Sequence, residues 1–144
     1  MGQNFLVKVK YEKTMENGMN KVVSELNLFD AMSFTEAEAR AIEEFTTLVN
    51  GEMEVAEIKK AKFNEIVLTT DTSADKYYNC KVNFITLDEK SGAEKKTSVQ
   101  MLVQASSTDD AGKRLESHMK ESMADYEVSS VVETKIIDYY RYEN

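Results

Sequence analysis

Few residues in this sequence have the types and spacing that catalysis or metal binding requires. His118 is the only histidine, and it falls in a predicted helix with no nucleophile beside it, which predicts a partly exposed surface residue rather than a general base. Cys80, the only cysteine, alternates with Val82 and Phe84 along a predicted strand, so we expect a small buried side chain without a reactive thiolate. The sequence shows no Cys and His cluster, no calcium-loop spacing and no phosphate-binding glycine pattern. It therefore predicts a protein with no catalytic residues, no metal and no cofactor.

Lysines provide the most specific candidate for a binding site. They recur on predicted strands and hairpins, and the candidate nucleic-acid contacts are Lys8, Lys10, Lys21, Lys81, Lys95 and Lys96. Proteins that hold single-stranded nucleic acid often use a basic groove that follows the backbone of the strand. Our first hypothesis is single-stranded nucleic-acid binding on a Lys-bearing sheet face. The net charge of −8 weighs against a general polyanion binder, and such lysines also keep sheet edges soluble.

Two alternatives use other charged residues. Arg40 and Arg114 are candidate contacts for a small anionic ligand, such as a signalling nucleotide. An oligomer would capture this ligand between protomers or between halves. The competing explanation is that each arginine forms an exposed salt bridge on its helix. The third hypothesis is an inhibitor or adaptor that binds a host protein through its acidic helical side. The acidic residues of the predicted helices are Glu36, Glu38, Glu43, Glu44, Asp109, Asp110, Glu116 and Glu121.

One segment, residues 33–49, carries a particularly clear helix signal. Ser33 and Thr35 can accept hydrogen bonds from first-turn amides, and acidic residues follow in capping-box register. Apolar residues then recur at helical spacing, and Gly51 after Asn50 predicts the end of the helix. The predicted buried stripe is Ala37, Ala41, Phe45 and Leu48, with Ile42 beside it.

The same sequence pattern occurs twice in the chain, which predicts internal duplication. Residues 8–11 return as residues 81–84, a shift of 73, and Ser33 and Arg40 return as Ser107 and Arg114, a shift of 74. Each half shows a hairpin, a helix and a strand, so the predicted fold class is α+β, with antiparallel sheets and one helix per repeat. The predicted boundaries are residues 1–70 for the first repeat, 71–76 for a linker and 77–144 for the second repeat, all in one compact body.

The second strand of each half does not match in its apolar face. Under the shift of 74, the inward residues Val99, Met101 and Val103 correspond to Glu25, Asn27 and Phe29, although the apolar residues of the first half also include Leu26 and Leu28. Either a bulge offsets that strand, or the halves differ in which face they cover.

The second half otherwise follows regular patterns. Tyr78, Cys80, Val82 and Phe84 should face one way, and the second helix should begin at Ser107 or Thr108. Its predicted buried stripe is Ala111, Leu115, Met119 and then Ser122 or Met123. Consecutive Tyr residues on a strand point to opposite sides, so at least one of Tyr139 and Tyr140 should be exposed.

Composition and the terminal residues suggest where the protein works. No stretch has the apolar length of a membrane span, the N-terminus lacks a secretory pattern, and a lone Cys excludes an internal disulfide. We therefore expect a cytoplasmic protein without membrane contact. Sheet edges also make a homo-oligomer plausible.

Three runs carry a resemblance to a known family. They are YEKTMENGMNK at residues 11–21, DAMSFTEAEARAIEE at residues 30–44 and ITLDEKSGAEKKTS at residues 85–98. Together they resemble a small family of unknown function from gut anaerobic bacteria and their phages and prophages. The resemblance covers nearly the whole length and implies a mobile-element context, but it brings no catalytic residues and no established activity.

Overall fold

The computed structural model describes residues 2–49 and 51–141, and this part of the chain is a mixed α+β protein with two helices and eight strands. The strands form two four-stranded sheets in which antiparallel pairs predominate. The elements in chain order are β1 (Gln3–Thr14), β2 (Asn20–Ala31), α1 (Phe34–Leu48), β3 (Met53–Lys60), β4 (Glu65–Val67), β5 (Lys76–Leu87), β6 (Glu94–Ala105), α2 (Thr108–Met119), β7 (Asp125–Glu133) and β8 (Ile136–Tyr140).

The chain divides into two compact units, each with one sheet and one helix. Unit 1 joins the residues up to Ala61 to those from Lys135 onward, and its strand order is β3-β1-β2-β8. Unit 2 is Lys62–Thr134, with the strand order β4-β6-β5-β7. In each unit the long hairpin pairs antiparallel with the strand after the helix, and a short fourth strand pairs parallel to the second hairpin strand.

The fourth strand of each sheet comes from the other half of the sequence. β4 follows β3 in the chain but joins the sheet of unit 2, and β8 follows β7 but joins the sheet of unit 1. The unit boundaries therefore differ from the predicted repeats 1–70 and 77–144, and the predicted linker 71–76 lies inside unit 2. Parallel strands require long connections, so nothing local in the sequence indicates this pairing.

Helix α1 begins as predicted and buries most of the predicted stripe. The Glu36 N–H donates to the Ser33 Oγ at 3.1 Å, which caps the first turn. The buried stripe packs against β1, β2 and β3 and consists of Ala37, Ala41 and Phe45. The prediction was wrong for Leu48, which is 68% exposed because the helix ends there. Ile42, which the sequence placed beside the stripe, is 44% exposed on the outer side of the helix.

Helix α1 ends at Leu48, before the predicted glycine Gly51. The Val49 N–H donates to the Phe45 carbonyl at 2.9 Å and closes the helix. Gly51 follows with φ of 122°, a backbone conformation that favours glycine. Asn50, the other residue of the predicted stop, lies outside the described residues.

Strand β2 has no bulge against β1, so the first explanation of its pattern is wrong. The register runs without a shift from Gln3 opposite Ala31 to Thr14 opposite Asn20. Glu25, Asn27 and Phe29 therefore share the face of the buried β1 residues, while Leu28 is fully buried on the other face. The corresponding residues of β6 also face their helix, so both halves cover the same face and the second explanation is wrong as well; the halves differ only in which side chains they place there.

The polar residues on that face of β2 are accommodated in different ways. The Tyr11 hydroxyl donates to the Glu25 Oε1 at 2.6 Å, and this bond, together with burial, raises the pKa of Tyr11 to about 12. Asn27 is 1% exposed, and its Nδ2 has no hydrogen-bond partner among the described residues. Unit 1 thus contains a buried donor that is left unpaired, an arrangement that costs stability.

Unit 2 confirms the apolar alternation that the sequence predicted. Its core consists of residues from β5, β6 and α2: Tyr78, Cys80, Val82, Met101, Val103, Ala105, Ala111, Leu115 and Met119. Ser107 caps α2 by accepting the Asp110 N–H at 3.1 Å. The helix ends at Met119. Met123, one of the two residues expected to continue the buried stripe, is instead fully exposed.

The two tyrosines of β8 are both partly buried, contrary to the expectation that one would be exposed. The Tyr140 ring stacks on Phe29 with 4.6 Å between centroids, and the Tyr139 hydroxyl donates to the Asn4 Oδ1 at 2.9 Å. Both faces of this short strand are therefore used to hold it on unit 1. No helix in the described ranges is long and apolar enough to cross a membrane.

Candidate functional site

Both hairpins project past the strand that borders them. In unit 1, β3 pairs with β1 only as far as Tyr11, and β8 pairs with β2 only from Leu26 onward. Residues 12–22, which we call arm 1, are therefore a two-stranded ribbon in which every residue is exposed. In unit 2, β7 reaches β5 only as far as Ile85, and residues 86–95 form the corresponding arm 2, also fully exposed.

Arm 1 places two lysines directly opposite each other. Lys13 pairs with Lys21 across the hairpin, next to the pair Tyr11 and Val23. By strand alternation the lysines share the sheet face that carries α1, since Tyr11 packs against the core beneath that helix. Like charges opposite each other in a sheet are unfavourable, so this pair has a cost that a bound anion would remove.

The tip of arm 1 is apolar. The Met15 N–H donates to the Met19 carbonyl at 2.8 Å, and the turn that follows uses Gly18 with φ of 82°. Met15 and Met19 are 39% and 67% exposed. The face of arm 1 thus presents an aromatic residue at its base, then two ammonium groups, then two thioether side chains.

Arm 2 has a polar tip that is closed on itself. The Lys90 N–H and the Ser91 hydroxyl both donate to the Asp88 carboxylate, at 3.0 and 3.1 Å, and these bonds hold the pKa of Asp88 below its usual value. Lys95 lies on the same sheet face as α2, with Asp88 one pair further out. Its charge is therefore less isolated than that of the lysine pair in arm 1.

The remaining predicted lysines lie on the opposite sheet faces, away from the helices. In unit 1, Lys8 and Lys10 have Glu57 and Glu54 as cross-strand neighbours. In unit 2, Lys81 pairs in register with Gln100 and Ser130. Acidic and polar residues are interleaved with these lysines, so neither face is uniformly basic.

Lys96 is already engaged by a carboxylate. Its Nζ lies 2.9 Å from the Glu127 Oε1, and this contact raises the pKa of Lys96 and lowers that of Glu127. Of the six predicted lysines, the structure brings only Lys21 into a pair of like charges. Its partner, Lys13, was not among the predicted contacts, although the Asn17-Gly18 turn fixes the register that pairs them.

Arg40 and Arg114 both make internal contacts, each within its own unit. Arg40 donates to the Asp30 carbonyl and, at 3.0 Å, to the Arg141 carbonyl, and its guanidinium lies 5.9 Å from the Phe29 ring centroid. It therefore joins α1 to the end of β8. Backbone oxygens, which do not titrate at ordinary pH, accept these bonds.

Arg114 makes the corresponding link in unit 2 through carboxylates. Its Nε donates to Asp110 and its Nη2 to Asp71, both at 2.8 Å, which joins α2 to the segment after β4. The pKa of Asp110 is lowered chiefly by Arg114, and that of Asp71 chiefly by Ser73 and then by Arg114. The helix salt bridge that the sequence offered as the competing explanation is present here.

Each unit also contains a groove between its helix and its fourth strand. Groove 1, of about 640 Å³, is lined by Glu36, Arg40, Glu43, Glu44, Tyr139, Tyr140 and Arg141. Groove 2, of about 440 Å³, is lined by Val67, Leu68, Thr69, Gln104, Lys113, Arg114, Ser117 and His118. The two grooves occupy matching positions but differ in charge, because most carboxylates lining groove 1 have no counterpart in groove 2.

The polar groups of groove 2 are partly engaged. The His118 Nε2 lies 2.7 Å from the Glu65 Oε1, and Gln104 donates to the Ala74 carbonyl at 3.0 Å. Within the described residues, no ion pair is formed by Lys113 and no hydrogen bond by the Ser117 side chain. Sequence reasoning missed both residues, and the only available signal was their spacing of four on one side of a helix.

Two other predicted features can be located. Cys80 is fully buried, and burial raises the pKa of its thiol to about 11, so the thiolate is scarce at neutral pH. On the outer side of α1, Glu38 and Glu43 flank the exposed Ile42. The described residues contain no group of three or more side chains that could hold a metal ion.

Comparison with known proteins identifies a family but no activity. No curated protein and no solved structure matches the chain. A family described as a domain of unknown function (DUF4494) matches residues 3–142, which is nearly the whole length. The chain therefore belongs to the DUF4494 family.

Proposed function

We propose that this protein is a non-catalytic binding protein that holds single-stranded nucleic acid on arm 1. The observation that carries the proposal is Lys13 directly opposite Lys21 on a ribbon whose residues are all exposed. A phosphate between the two ammonium groups would replace repulsion with two charge-assisted contacts. Met15, Met19 and Tyr11 on either side of the pair offer apolar surface to unstacked bases.

The ribbon itself supports a binding role. Two-stranded hairpins without a covering layer are marginal in water, because they bury little apolar surface. Residues 12–22 gain no core contact in return for their ordered backbone. An element of this kind is better explained by contact with a ligand than by a contribution to the stability of unit 1.

The charge of the rest of the protein sets the conditions for binding. The sequence assigned to each unit contains 13 acidic and nine basic residues, so each has a net charge of −4. The lysine pair therefore acts locally, against a repulsive background, and duplex DNA with its higher charge density should bind less well than a flexible single strand. Binding should be of modest affinity and should weaken as salt rises.

Fluorescence anisotropy with a labelled 20-nucleotide oligo(dT) in low and moderate salt tests this proposal. The wild-type protein should bind, and Lys13→Gln/Lys21→Gln should weaken binding about tenfold at low salt, as expected for the loss of about 1.4 kcal/mol of phosphate contact. The slope of log affinity against log salt should fall by about 0.7, since the pair holds one phosphate and each phosphate contact with a single strand contributes roughly 0.7.

Two matched variants separate arm 1 from the other lysines. Lys95→Gln/Lys96→Gln removes two charges from the hairpin of unit 2, and Lys8→Gln/Lys10→Gln removes two from the opposite face of unit 1. Both should bind within about twofold of wild type. Absence of binding by the wild-type protein in low salt, or equal loss in all three variants, would overturn the proposal.

We also infer that the two units arose by internal duplication. Support comes from the hairpin, helix and strand that each unit has in the same chain order, from the caps at Ser33 and Ser107, and from turn glycines Gly18 and Gly92 with positive φ. β3 and β7 each carry a one-residue bulge, at Ala56 and Ser129, where β1 and β5 shift register. These positions are 73 residues apart, which is the shift between the first strands.

The other functional hypotheses remain predictions. An adaptor role draws support from Ile42, which is 44% exposed between Glu38 and Glu43 on α1 and could meet a basic partner with an apolar centre. An oligomer that captures a nucleotide through both Arg40 and Arg114 has less support, since both side chains make internal contacts. The mobile-element context and the cytoplasmic location rest on the sequence alone.

A further inference from the structure

We infer that groove 2 binds a small phosphorylated ligand, independently of any nucleic acid on arm 1. The inference rests on the donors that α2 places along one side of the groove. Lys113 and Ser117 lie one helical turn apart, and Arg114 lies beside Lys113. A phosphate group offers three oxygens, which suits an ammonium, a hydroxyl and a guanidinium that line one groove.

The state of these donors fits an incoming anion. Lys113 is exposed and forms no ion pair with the described residues, and the Ser117 hydroxyl has no hydrogen-bond partner there. Arg114 uses Nε and Nη2 for Asp110 and Asp71, so Nη1 is the nitrogen that these carboxylates do not engage. The same two ion pairs fix the position of the guanidinium before a ligand arrives, which reduces the ordering cost of binding.

The other wall of groove 2 suits the body of such a ligand. Val67 and Leu68, at the end of β4, provide apolar surface, and Thr69 and Gln104 add polar groups beside it. The volume of about 440 Å³ lies in the range of roughly 300 to 1,000 Å³ that is typical of small-molecule sites. A phosphate monoester with a compact organic group, such as a nucleoside monophosphate, matches this combination.

Groove 1 acts as an internal comparison. The positions of Lys113, Ser117 and His118 correspond, at a shift of 74, to Ala39, Glu43 and Glu44. Groove 1 therefore has no lysine at the first of these positions and has carboxylates in place of Ser117 and His118, so it should repel the same ligand. The helix and fourth-strand framework is common to both grooves, so anion binding depends on these substitutions.

The single histidine gives a site-specific experiment. His118 lines groove 2, so its imidazole signal in an NMR spectrum reports on this groove alone. Titration of the full-length protein with adenosine monophosphate at constant pH and ionic strength should shift the signal saturably. Inorganic phosphate should shift it with weaker affinity, because it lacks the organic group, and adenosine without phosphate should leave it unchanged.

Variants identify the donors. Lys113→Gln should weaken the apparent affinity about tenfold, and Ser117→Ala several-fold, as expected for loss of a charge-assisted and a neutral hydrogen bond. Glu43→Gln in groove 1 and Lys13→Gln/Lys21→Gln in arm 1 should bind like wild type. A shift that does not saturate, or that Lys113→Gln leaves unchanged, would overturn the inference, and neither result bears on binding of oligonucleotides by arm 1.

Discussion

Unit 1 and unit 2 share a hairpin, a helix and a third strand in the same chain order, and the same spatial order of strands in the sheet, yet they differ at three corresponding places. In the core, unit 1 has Asn27 where unit 2 has Met101. In the groove, unit 1 has carboxylates where unit 2 has donors. At the hairpin tip, unit 1 has Met15 where unit 2 has Asp88, which closes its own turn. The shared framework indicates what the fold requires, and the differences indicate where the units have separate roles.

The helices show how one framework accepts two packings. The stripe of α1 is Ala37, Ala41 and Phe45, and that of α2 is Ala111, Leu115 and Met119. At a shift of 74, Ala41 of α1 corresponds to the larger Leu115 of α2 in the middle of the stripe. At the end of the stripe, the aromatic Phe45 corresponds to the flexible thioether Met119. Each core is filled, but the volume is distributed differently.

The largest expected effect tests whether these packings can be exchanged. Leu115→Ala gives unit 2 the residue that unit 1 has at Ala41, yet it should lower the free energy of unfolding by about 3 kcal/mol, because truncation of the fully buried Leu115 side chain leaves a cavity in the core of unit 2. Urea denaturation measures the loss. The exposed neighbour variant Glu116→Ala should change stability by less than about 0.5 kcal/mol.

Cys80 allows this loss to be assigned to unit 2. The buried thiol, with its pKa raised to about 11 by burial, should react slowly with a thiol reagent in the native protein and faster in Leu115→Ala. If Leu115→Ala were as stable as wild type, or if its thiol reacted at the wild-type rate, the two cores would be interchangeable after all.

A smaller effect of the opposite sign is expected in unit 1. Asn27→Val removes a buried amide whose Nδ2 is unpaired and should raise the free energy of unfolding by about 1 kcal/mol. The reverse change in unit 2, Met101→Asn, should lower it by about 2 kcal/mol or more. A destabilised Asn27→Val would show that the amide contributes to unit 1 in a way that the apolar core of unit 2 does not require.

The smallest expected effect concerns acid. The contact with Arg114 lowers the pKa of Asp110 from its ordinary value of 3.8, so its carboxylate stays ionised below that pH. The ion pair therefore stabilises unit 2 fully above pH 3.8, and this stabilisation is lost as the pH falls through the lowered pKa. Amide exchange in β4 should therefore quicken as the pH falls from about 4 to about 2.

One variant tests that assignment. Arg114→Gln should remove the loosening of β4 in acid, because neither Asp71 nor Asp110 would then be held ionised by the guanidinium. If β4 loosened over the same pH interval in Arg114→Gln, the ion pairs of Arg114 would not be the cause.

The sequence predicted the local elements well because their signals are local. The cap at Ser33, the stripe from Ala37 to Phe45 and the turn at Asn17-Gly18 each depend on residues within one or two turns of the chain. β2 was ambiguous because Leu28 and Phe29 are both buried, so alternation could not identify its core face. The register places Glu25 on the helix side, where the Tyr11 hydroxyl donates to it, a contact that no single-strand pattern reveals.

The candidate sites were less predictable because they depend on pairings between distant segments. Lys21 could be proposed, but the like-charge pair with Lys13 required the register of the hairpin. Groove 2 required β4 to leave the sheet of its own half, which places Val67 and Leu68 beside α2. Residues 65–67 form only three parallel pairs, too short a run for a sequence pattern to specify a partner.

The exchange of β4 and β8 has a consequence for how the protein is made. A ribosome supplies β1, β2, α1 and β3 first, but the strand that completes their sheet is synthesised only after all of unit 2. Completion of the sheet of unit 2 is not delayed in this way, because β4 precedes the hairpin of unit 2 in the chain. The half that emerges first is thus the half that is finished last, and until then the edge of β2 that receives β8 stays open to other chains.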